Sequence, residues 1–187
     1  MCRFITIIAP QSCNEQATAI LKHHRSYVCE THNKDLAKAG PSKSIQLISP
    51  HAGCDCSTIL DAPWQGERGK FDEGSLAEKM RRKGWSEAKI ERALADKKHG
   101  LATTTHRGPS DSFELWQLII TDLLEGCASA GPIGIILHEY QGDMDSQPMS
   151  PSIRRIPANL SILDALRSLK EAELLLFDRA WLRAQAA

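Results

Sequence analysis

Three features that mark specialised classes of protein are missing from this sequence of 187 residues. Its 23 Lys and Arg residues are balanced by 23 Asp and Glu residues, whereas a nucleic-acid-binding surface usually carries a basic excess. No apolar run approaches the ~18 residues of a membrane-spanning helix. The apolar stretch 4–9 is too short for a secretory signal. We therefore expect a cytoplasmic protein that has neither nucleic acid nor a membrane as its partner.

The composition is that of an ordinary globular protein. Hydrophobic residues make up 42% of the chain and charged residues 25%, which excludes the disordered and fibrous classes. At about 150 residues per domain, this length corresponds to one domain. We therefore predict that residues 1–187 form a single globular domain with its own hydrophobic core.

Hydrophobic periodicity predicts alternating strands and helices. Residues 3–9, 44–48 and 133–140 are short apolar, β-branched runs of the kind that forms buried strands. Apolar residues at helical spacing predict helices over 14–24 and 112–127. These elements predict an α/β or α+β fold, with a mixed sheet of three to five strands and helices packed against it.

Two further stretches are predicted to be helical. Residues 75–98 carry two helix-capping signals, at Ser75 and Ser86, and a high density of charge, so we predict a charged helical pair on the outside of the fold. The polar stretch 141–157 is rich in proline and is predicted to be a loop. Ser161 then begins a long C-terminal helix, whose apolar stripe comprises Leu163, Leu166, Leu174, Phe177 and Trp181.

A cluster of cysteine and histidine carries the clearest chemical signal. Cys54 and Cys56 are two residues apart, so in an extended segment their side chains point to the same side. Gly53 permits a bend that brings His51 towards them, and Cys2 at the start of the first strand completes a set of four. Thiolate and imidazole are the ligands of tetrahedral zinc. The pattern leaves three interpretations open: buried packing of small side chains, a zinc site, for which Cys13, Cys29 and His24 are substitute ligands, and a redox or catalytic thiol.

The Met-Cys start offers a second interpretation of Cys2. Removal of Met1 would place a free amine beside the Cys2 thiol, which is a nucleophile with its own base. This start resembles that of the N-terminal-nucleophile amidotransferases, a resemblance that implies a cysteine-dependent hydrolase. The chain has no Asn-Gly pair to supply an oxyanion hole. Because Cys2 precedes a dense apolar strand, we expect it to be buried and structural rather than catalytic.

Three motifs together resemble a family of small bacterial proteins. They are the opening Met-Cys-x-Phe-Ile-Thr, the segment His-x-Gly-Cys-x-Cys-x-Thr at 51–58, and Arg-Lys-Gly-Trp-Ser-x-Ala-Lys-Ile at 82–90. The resemblance implies a bacterial cytoplasmic protein and a shared role for Cys2, Cys54 and Cys56. It implies no particular activity, because none is assigned to that family.

An acidic block suggests how the chain meets a partner. Residues 111–146 contain seven acidic side chains and no Lys or Arg. A charged face of this kind steers a protein of opposite charge, although it can also pair with the chain's own basic residues. The predicted partner-binding residues are Asp111, Glu114, Asp122, Glu125, Glu139, Asp143 and Asp145.

These signals favour a binding protein over an enzyme. The sequence assembles no complete catalytic set, so we predict a non-enzymatic protein-binding module of the inhibitor or immunity type, with a metal or thiol cluster. Its predicted partner is another protein, of basic character. The alternative function is a cysteine-dependent hydrolase or redox enzyme that uses Cys2 or the pair Cys54 and Cys56.

Overall fold

The structure is a computed structural model that describes residues 2–25, 27–50, 53–56, 58–61, 73–104, 111–127 and 131–178. Its strands are β1 (Cys2–Pro10), β2 (Cys29–Thr31), β3 (Ser44–Ile48), β4 (Ile133–Tyr140), β5 (Ser152–Ile156) and β6 (Glu173–Phe177). Its helices are α1 (Asn14–Arg25), α2 (Lys34–Ala39), α3 (Glu73–Arg82), α4 (Glu87–Thr104), α5 (Phe113–Gly126) and α6 (Ile162–Arg167).

The six strands form one mixed sheet in the order β2-β3-β1-β4-β6-β5. All neighbours are antiparallel except β5 and β6, which are parallel. β1 lies inside the sheet, between β3 and β4, because its continuous apolar run can be buried on both faces. β4 pairs with β1 over Cys2–Ile8, whereas β3 pairs only with Thr6–Pro10. The first residues of β1 therefore have no strand partner on the β3 side.

Helices cover the two faces of the sheet unequally. On one face, α1, α5 and α6 pack over alternate residues of β1, β3, β4 and β6 to form the main core. Trp116 and Leu123 of α5 are among its most buried side chains. The opposite face has a smaller core, where Leu36 of α2 and Met149 contact the sheet. The predicted α/β fold is confirmed, although the sheet has six strands rather than three to five.

Helices α3 and α4 pack against each other across a tight turn. Gly84 has a positive φ of 75°, the left-handed conformation that glycine adopts at the end of a helix. Both helices lie within or close to the predicted pair 75–98, and most of their described side chains are exposed. No helix in the described ranges is both long enough and apolar enough to cross a bilayer.

The predicted long C-terminal helix is wrong over the residues that the structure describes; Trp181, the last residue of its predicted stripe, lies outside them. α6 ends at Arg167, and the chain turns through Ala172, which has a positive φ of 55°. The following run Glu173–Phe177 is β6, buried between β4 and β5. Apolar residues happened to fall at helical spacing across the turn, whereas a continuous run of this length suits a strand that is covered on both faces.

The predicted loop 141–157 is also partly wrong, because it contains the edge strand β5. β5 carries two arginines and pairs with β6 on one side only, so its sequence lacks the apolar run that marks a central strand. The short helix α2 was not predicted. Its start is capped by Asn33, whose side-chain oxygen accepts hydrogen bonds from the backbone N–H groups of Asp35 and Leu36, a stabilising contact of about 1 kcal/mol.

Candidate metal site

The segment 53–56 occupies the place beside β1 that β3 leaves open. The backbone N–H of Asp55 donates to the carbonyl oxygen of Arg3 at 2.8 Å. The backbone N–H of Ile5 donates to the Asp55 carboxylate, also at 2.8 Å. These contacts satisfy backbone groups of β1 that would otherwise lack partners on this side. They also bring the residues flanking Asp55 next to the start of β1.

Three cysteines meet at this point. The sulfur atoms of Cys2, Cys54 and Cys56 all lie within 4.8 Å of one another, and we call them the three-cysteine group. The backbone N–H of Arg3 donates to the Cys56 sulfur at 3.2 Å, a contact that a metal-bound thiolate readily accepts. In a zinc tetrahedron with ~2.3 Å bonds the sulfurs are about 3.8 Å apart. A contraction of at most about 1 Å would therefore bring the group to zinc geometry.

The predicted grouping of Cys2 with Cys54 and Cys56 is confirmed, but one expectation about Cys2 is wrong. Cys2 is exposed, whereas Cys54 and Cys56 are half-buried. Cys2 is the first residue of β1, and its side chain is uncovered there, although the strand becomes fully buried only a few residues later. His51, the fourth predicted ligand, lies outside the described residues. No other group of three such ligand side chains occurs in the part of the chain that the structure describes.

The Cys54 thiol holds its proton tightly. Its pKa is raised to about 11, mainly by burial; a backbone hydrogen bond at Cys56 partly opposes this rise, and the nearby Cys56 and Cys2 sulfurs contribute to it. The Cys54 thiol is therefore protonated at neutral pH when no cation is present. A bound cation would reverse this preference, because it stabilises thiolates at short range.

A buried network of charges anchors the segment from below. The guanidinium of Arg25, at the end of α1, donates to Asp55 at 2.6 Å, to Asp111 at 2.8 Å and to the carbonyl oxygen of Ser49 at 3.0 Å. The side chains of Arg25, Asp55 and Asp111 are at most 2% exposed. Asp111 also accepts a hydrogen bond from the Trp116 indole. Because each buried charge has an opposite partner, the network can exist inside the protein.

A second buried pair fixes the far end of the same region. The Arg3 guanidinium forms an ion pair with Asp61, and both side chains are almost fully buried. Arg3 also contacts Glu171 at 3.0 Å and Glu139 at 3.7 Å. The residue that follows Cys2 is thus tied to Asp61, a few residues after Cys56. Sequence reasoning missed Arg3, Arg25, Asp55 and Asp61 as supports, because a buried ion pair leaves no periodic signal in a sequence.

An open groove adjoins the three-cysteine group. It has a volume of about 350 Å³ and is lined by Cys2, Phe4, Tyr140, Gln141 and Gly142. Phe4 and Tyr140 meet edge to face, with ring centroids 5.8 Å apart. The groove gives solvent and small molecules access to the Cys2 side of the group.

Two of the predicted partner-binding residues take part in internal ion pairs. The Asp111 side chain is 1% exposed and pairs with Arg25, so the described conformation leaves it no surface for a partner. Glu139 lies beside Arg3, and a fifth of its side chain is exposed. The chain's own basic residues therefore neutralise part of the acidic block.

Three others lie on α5. Glu114 and Glu125 are exposed, and Asp122 accepts a hydrogen bond from the His24 imidazole at 2.8 Å or shares its proton. Hydrogen bonds from its own backbone N–H and from the Ser112 hydroxyl lower the pKa of Glu114. Leu118 lies between these residues along the helix and is 48% exposed. α5 thus presents an acidic surface with one apolar side chain in it.

The last two predicted residues follow β4. Asp143 and Asp145 are exposed. Asp145 accepts hydrogen bonds from the backbone N–H of His32 at 2.6 Å and from the Thr31 hydroxyl at 2.5 Å, and these bonds lower its pKa. Asp145 therefore also has a structural role, because it ties this loop to the end of β2.

Comparison of the chain with protein-family models, with curated proteins and with solved structures gave no match. The resemblance to small bacterial proteins therefore stays a prediction, and the geometry of the three-cysteine group is the basis for assigning a function.

Proposed function

We propose that the protein binds a zinc ion through Cys2, Cys54 and Cys56, and that the ion links the segment 53–56 to β1. The observation that carries this proposal is the mutual distance of at most 4.8 Å among three sulfurs from two distant parts of the chain. The role is non-enzymatic: the metal joins two pieces of backbone that are otherwise held by hydrogen bonds and buried ion pairs.

Zinc fits the chemistry of these ligands. It prefers thiolate and imidazole ligands in a tetrahedron and imposes no further geometric demand. The three sulfurs supply three positions, and His51, three residues before Cys54, is the proposed fourth ligand. Binding must displace the proton of the Cys54 thiol, whose pKa is raised mainly by burial, so zinc competes with protons at this site.

The test is metal content measured on protein purified under reducing conditions. We expect about one zinc ion per wild-type chain, the usual stoichiometry of a single tetrahedral site. Cys54→Ser and Cys56→Ser should each lose most of the metal. Cys29→Ser is the control, because Cys29 is a solvent-exposed cysteine that lies outside the group. A metal-free wild-type protein after incubation with zinc would overturn the proposal.

The alternative thiol chemistry predicts a different result in the same experiment. A hydrolase or redox enzyme would leave the wild-type protein free of metal and would need a reactive thiol, for which the exposed Cys2 is the accessible candidate. Rapid, selective alkylation of Cys2 in a protein that binds no zinc would replace the metal proposal with this one.

We also propose that the exposed surface of α5 binds a basic protein partner, in the manner of an inhibitor or immunity protein. The observation that favours this second function is the exposure of Leu118, 48%, between Glu114 and Asp122. A large exposed apolar side chain with charged neighbours is a common arrangement in protein interfaces. The two flanking carboxylates would attract a partner of opposite charge.

A photo-crosslinking residue at position 118 tests this surface in the source cells. We expect a defined adduct that is absent when the same residue is placed at exposed position 82 on α3. With the partner identified, Glu114→Lys combined with Glu125→Lys should slow association at low salt. If only reversal of Asp143 and Asp145 slows association, the partner binds the loop after β4 instead of α5.

A further inference from the structure

We propose that Asp55 is a positioning residue whose buried carboxylate sets how tightly the three-cysteine group holds its metal ion. This inference rests on the proposed zinc binding and adds to it a residue that touches no metal. Its basis is the placement of Asp55 between two ligands and the set of contacts that hold it still.

The first step concerns the backbone. Asp55 is the single residue between Cys54 and Cys56, so its backbone position fixes where both side chains start. Its N–H donates to Arg3, and its side chain accepts from Ile5. Both contacts are made to β1, the strand that carries Cys2. The same residue therefore places two sulfurs and aligns them with the third.

The second step concerns the carboxylate. Asp55 is fully buried, and one carboxylate oxygen accepts from the Arg25 guanidinium at 2.6 Å while the other accepts from Ile5 at 2.8 Å. Its carbonyl oxygen accepts from the backbone N–H and the hydroxyl of Thr58. Contacts in three directions leave Asp55 little freedom to rotate or shift.

The third step concerns Arg25 itself. Its guanidinium is fixed independently by Asp111 and by the carbonyl oxygen of Ser49, and it lies over the Trp116 ring at 4.8 Å. Arg25 is thus part of the core packing of α1 and α5, and it passes that rigidity to Asp55. A ligand set that is held in place before metal arrives loses less freedom on binding, which raises affinity.

The test compares the zinc affinities of two isosteric variants by competition with a chromogenic chelator. Asp55→Asn keeps the size of the side chain and removes its charge, and we expect zinc to bind about 10–100-fold more weakly, the usual cost of losing a residue that orients metal ligands. Glu173→Gln is the matched control: it also removes the charge of a buried carboxylate paired with an arginine, Arg154 at 2.9 Å, and Glu173 lies outside the cysteine segment and its supporting network. Its zinc affinity should stay close to that of the wild type.

Cobalt in place of zinc supplies a readout that a merely structural role would not change. The visible absorption of protein-bound Co²⁺ reports tetrahedral thiolate geometry. We expect an altered spectrum in Asp55→Asn and a wild-type spectrum in Glu173→Gln. If Asp55→Asn does not fold, Asp55→Glu and Arg25→Lys provide the same test, since each keeps the charge pair and displaces the carboxylate or its donor.

The outcomes separate this inference from the proposal beneath it. A wild-type protein without zinc affinity contradicts the proposed function. A wild-type protein that binds zinc, with folded variants at Asp55 that bind it equally well, contradicts only the positioning role. Equal losses in Asp55→Asn and Glu173→Gln also contradict it, because they would trace the effect to a general loss of stability.

Discussion

Cys13 and Cys127 lie in the main core, whereas the three-cysteine group, Cys2, Cys54 and Cys56, lies at the start of β1. Cys13 and Cys127 are 4% and 2% exposed and are surrounded by apolar side chains. The pKa of Cys127 is raised to about 12, mainly by burial and also by the neighbouring Cys13 thiol. The three-cysteine group is open to solvent through Cys2 and rests on buried ion pairs.

The difference shows that surroundings decide what a cysteine can do. Cys13 donates its S–H to the carbonyl oxygen of Pro10 at 3.2 Å and otherwise behaves as a small apolar residue. In the three-cysteine group, the Arg3 backbone offers an N–H to the Cys56 sulfur. The core cysteines contribute packing, whereas the sulfurs of the three-cysteine group are close enough together to hold one metal ion.

The largest expected effect comes from removing Arg25, the buried cation that holds Asp55 beside the three-cysteine group. Arg25→Met leaves the buried carboxylates of Asp55 and Asp111 without their cation, and the loss of one partner from such a pair costs about 3–5 kcal/mol of unfolding free energy. Chemical denaturation measures the change. Arg81→Met is the control, because the Arg81–Glu87 ion pair is exposed, and its loss should hardly alter stability. Similar stabilities for the two variants would contradict the role of the network.

The rate of alkylation should differ between the core cysteines and the three-cysteine group. At about pH 8, a thiol with a pKa near 12 forms on the order of a thousandfold less thiolate than an ordinary cysteine. We therefore expect iodoacetamide to modify metal-free native protein first at exposed cysteines such as Cys2 and last at Cys127, as followed by peptide mass. Zinc should protect Cys2 and leave the exposed Cys29 unprotected. Protection of both residues, or of neither, would argue against a site at the three-cysteine group.

Replacement of a core thiol should have a smaller effect, and of a different kind. Cys127→Ser places a hydroxyl in an apolar environment and should cost about 1–3 kcal/mol of stability. Zinc content should be unchanged, because Cys127 lies outside the three-cysteine group. The measurements are thermal denaturation and metal analysis of the same sample. Loss of zinc without loss of stability would mean that Cys127 takes part in metal binding and contributes little to packing.

The pH dependence of zinc affinity is the finest test. Because the pKa of Cys54 is raised to about 11, its thiol is protonated throughout the neutral range and must lose its proton when zinc binds. Apparent affinity should therefore rise with pH by about tenfold or more per unit, as one or more protons are displaced for each ion bound. Titrations at several pH values measure this slope. An affinity independent of pH would show that no thiol is deprotonated on binding.

The sequence predicts which cysteines form the three-cysteine group better than it predicts the buried ion pairs that hold them in place. The two-residue spacing of Cys54 and Cys56 and the strand after Cys2 were enough to place three sulfurs together. Nothing in the spacing pointed to Arg25 or Asp55, because their partners are set by how α1 packs against the sheet. The exposure of Cys2 was missed because it is the first residue of β1. The burial of later residues in a strand does not mean that its first side chain is covered.

The same limit applies to the fold. β1 and β4 were predicted because their apolar runs are long, and α5 was predicted over 112–127 because of its apolar stripe. β6 was assigned to a helix because five apolar residues, two before and three after Ala172, fell at helical spacing across a turn that depends on the backbone of that residue. β5 was missed because an edge strand needs apolar residues on little of its surface. Long-range pairing decides these elements, and local pattern does not record it.

The position of β1 between β3 and β4 also bears on how the chain folds. β1 is made first, yet its partner over Cys2–Ile8 is β4, which lies in the far half of the sequence. Pairing of such distant segments makes folding slow, so the sheet cannot close until most of the chain is available. The cysteine segment contacts β1 much earlier in the sequence. A metal ion bound there would hold the first strand in register while it waits for β4.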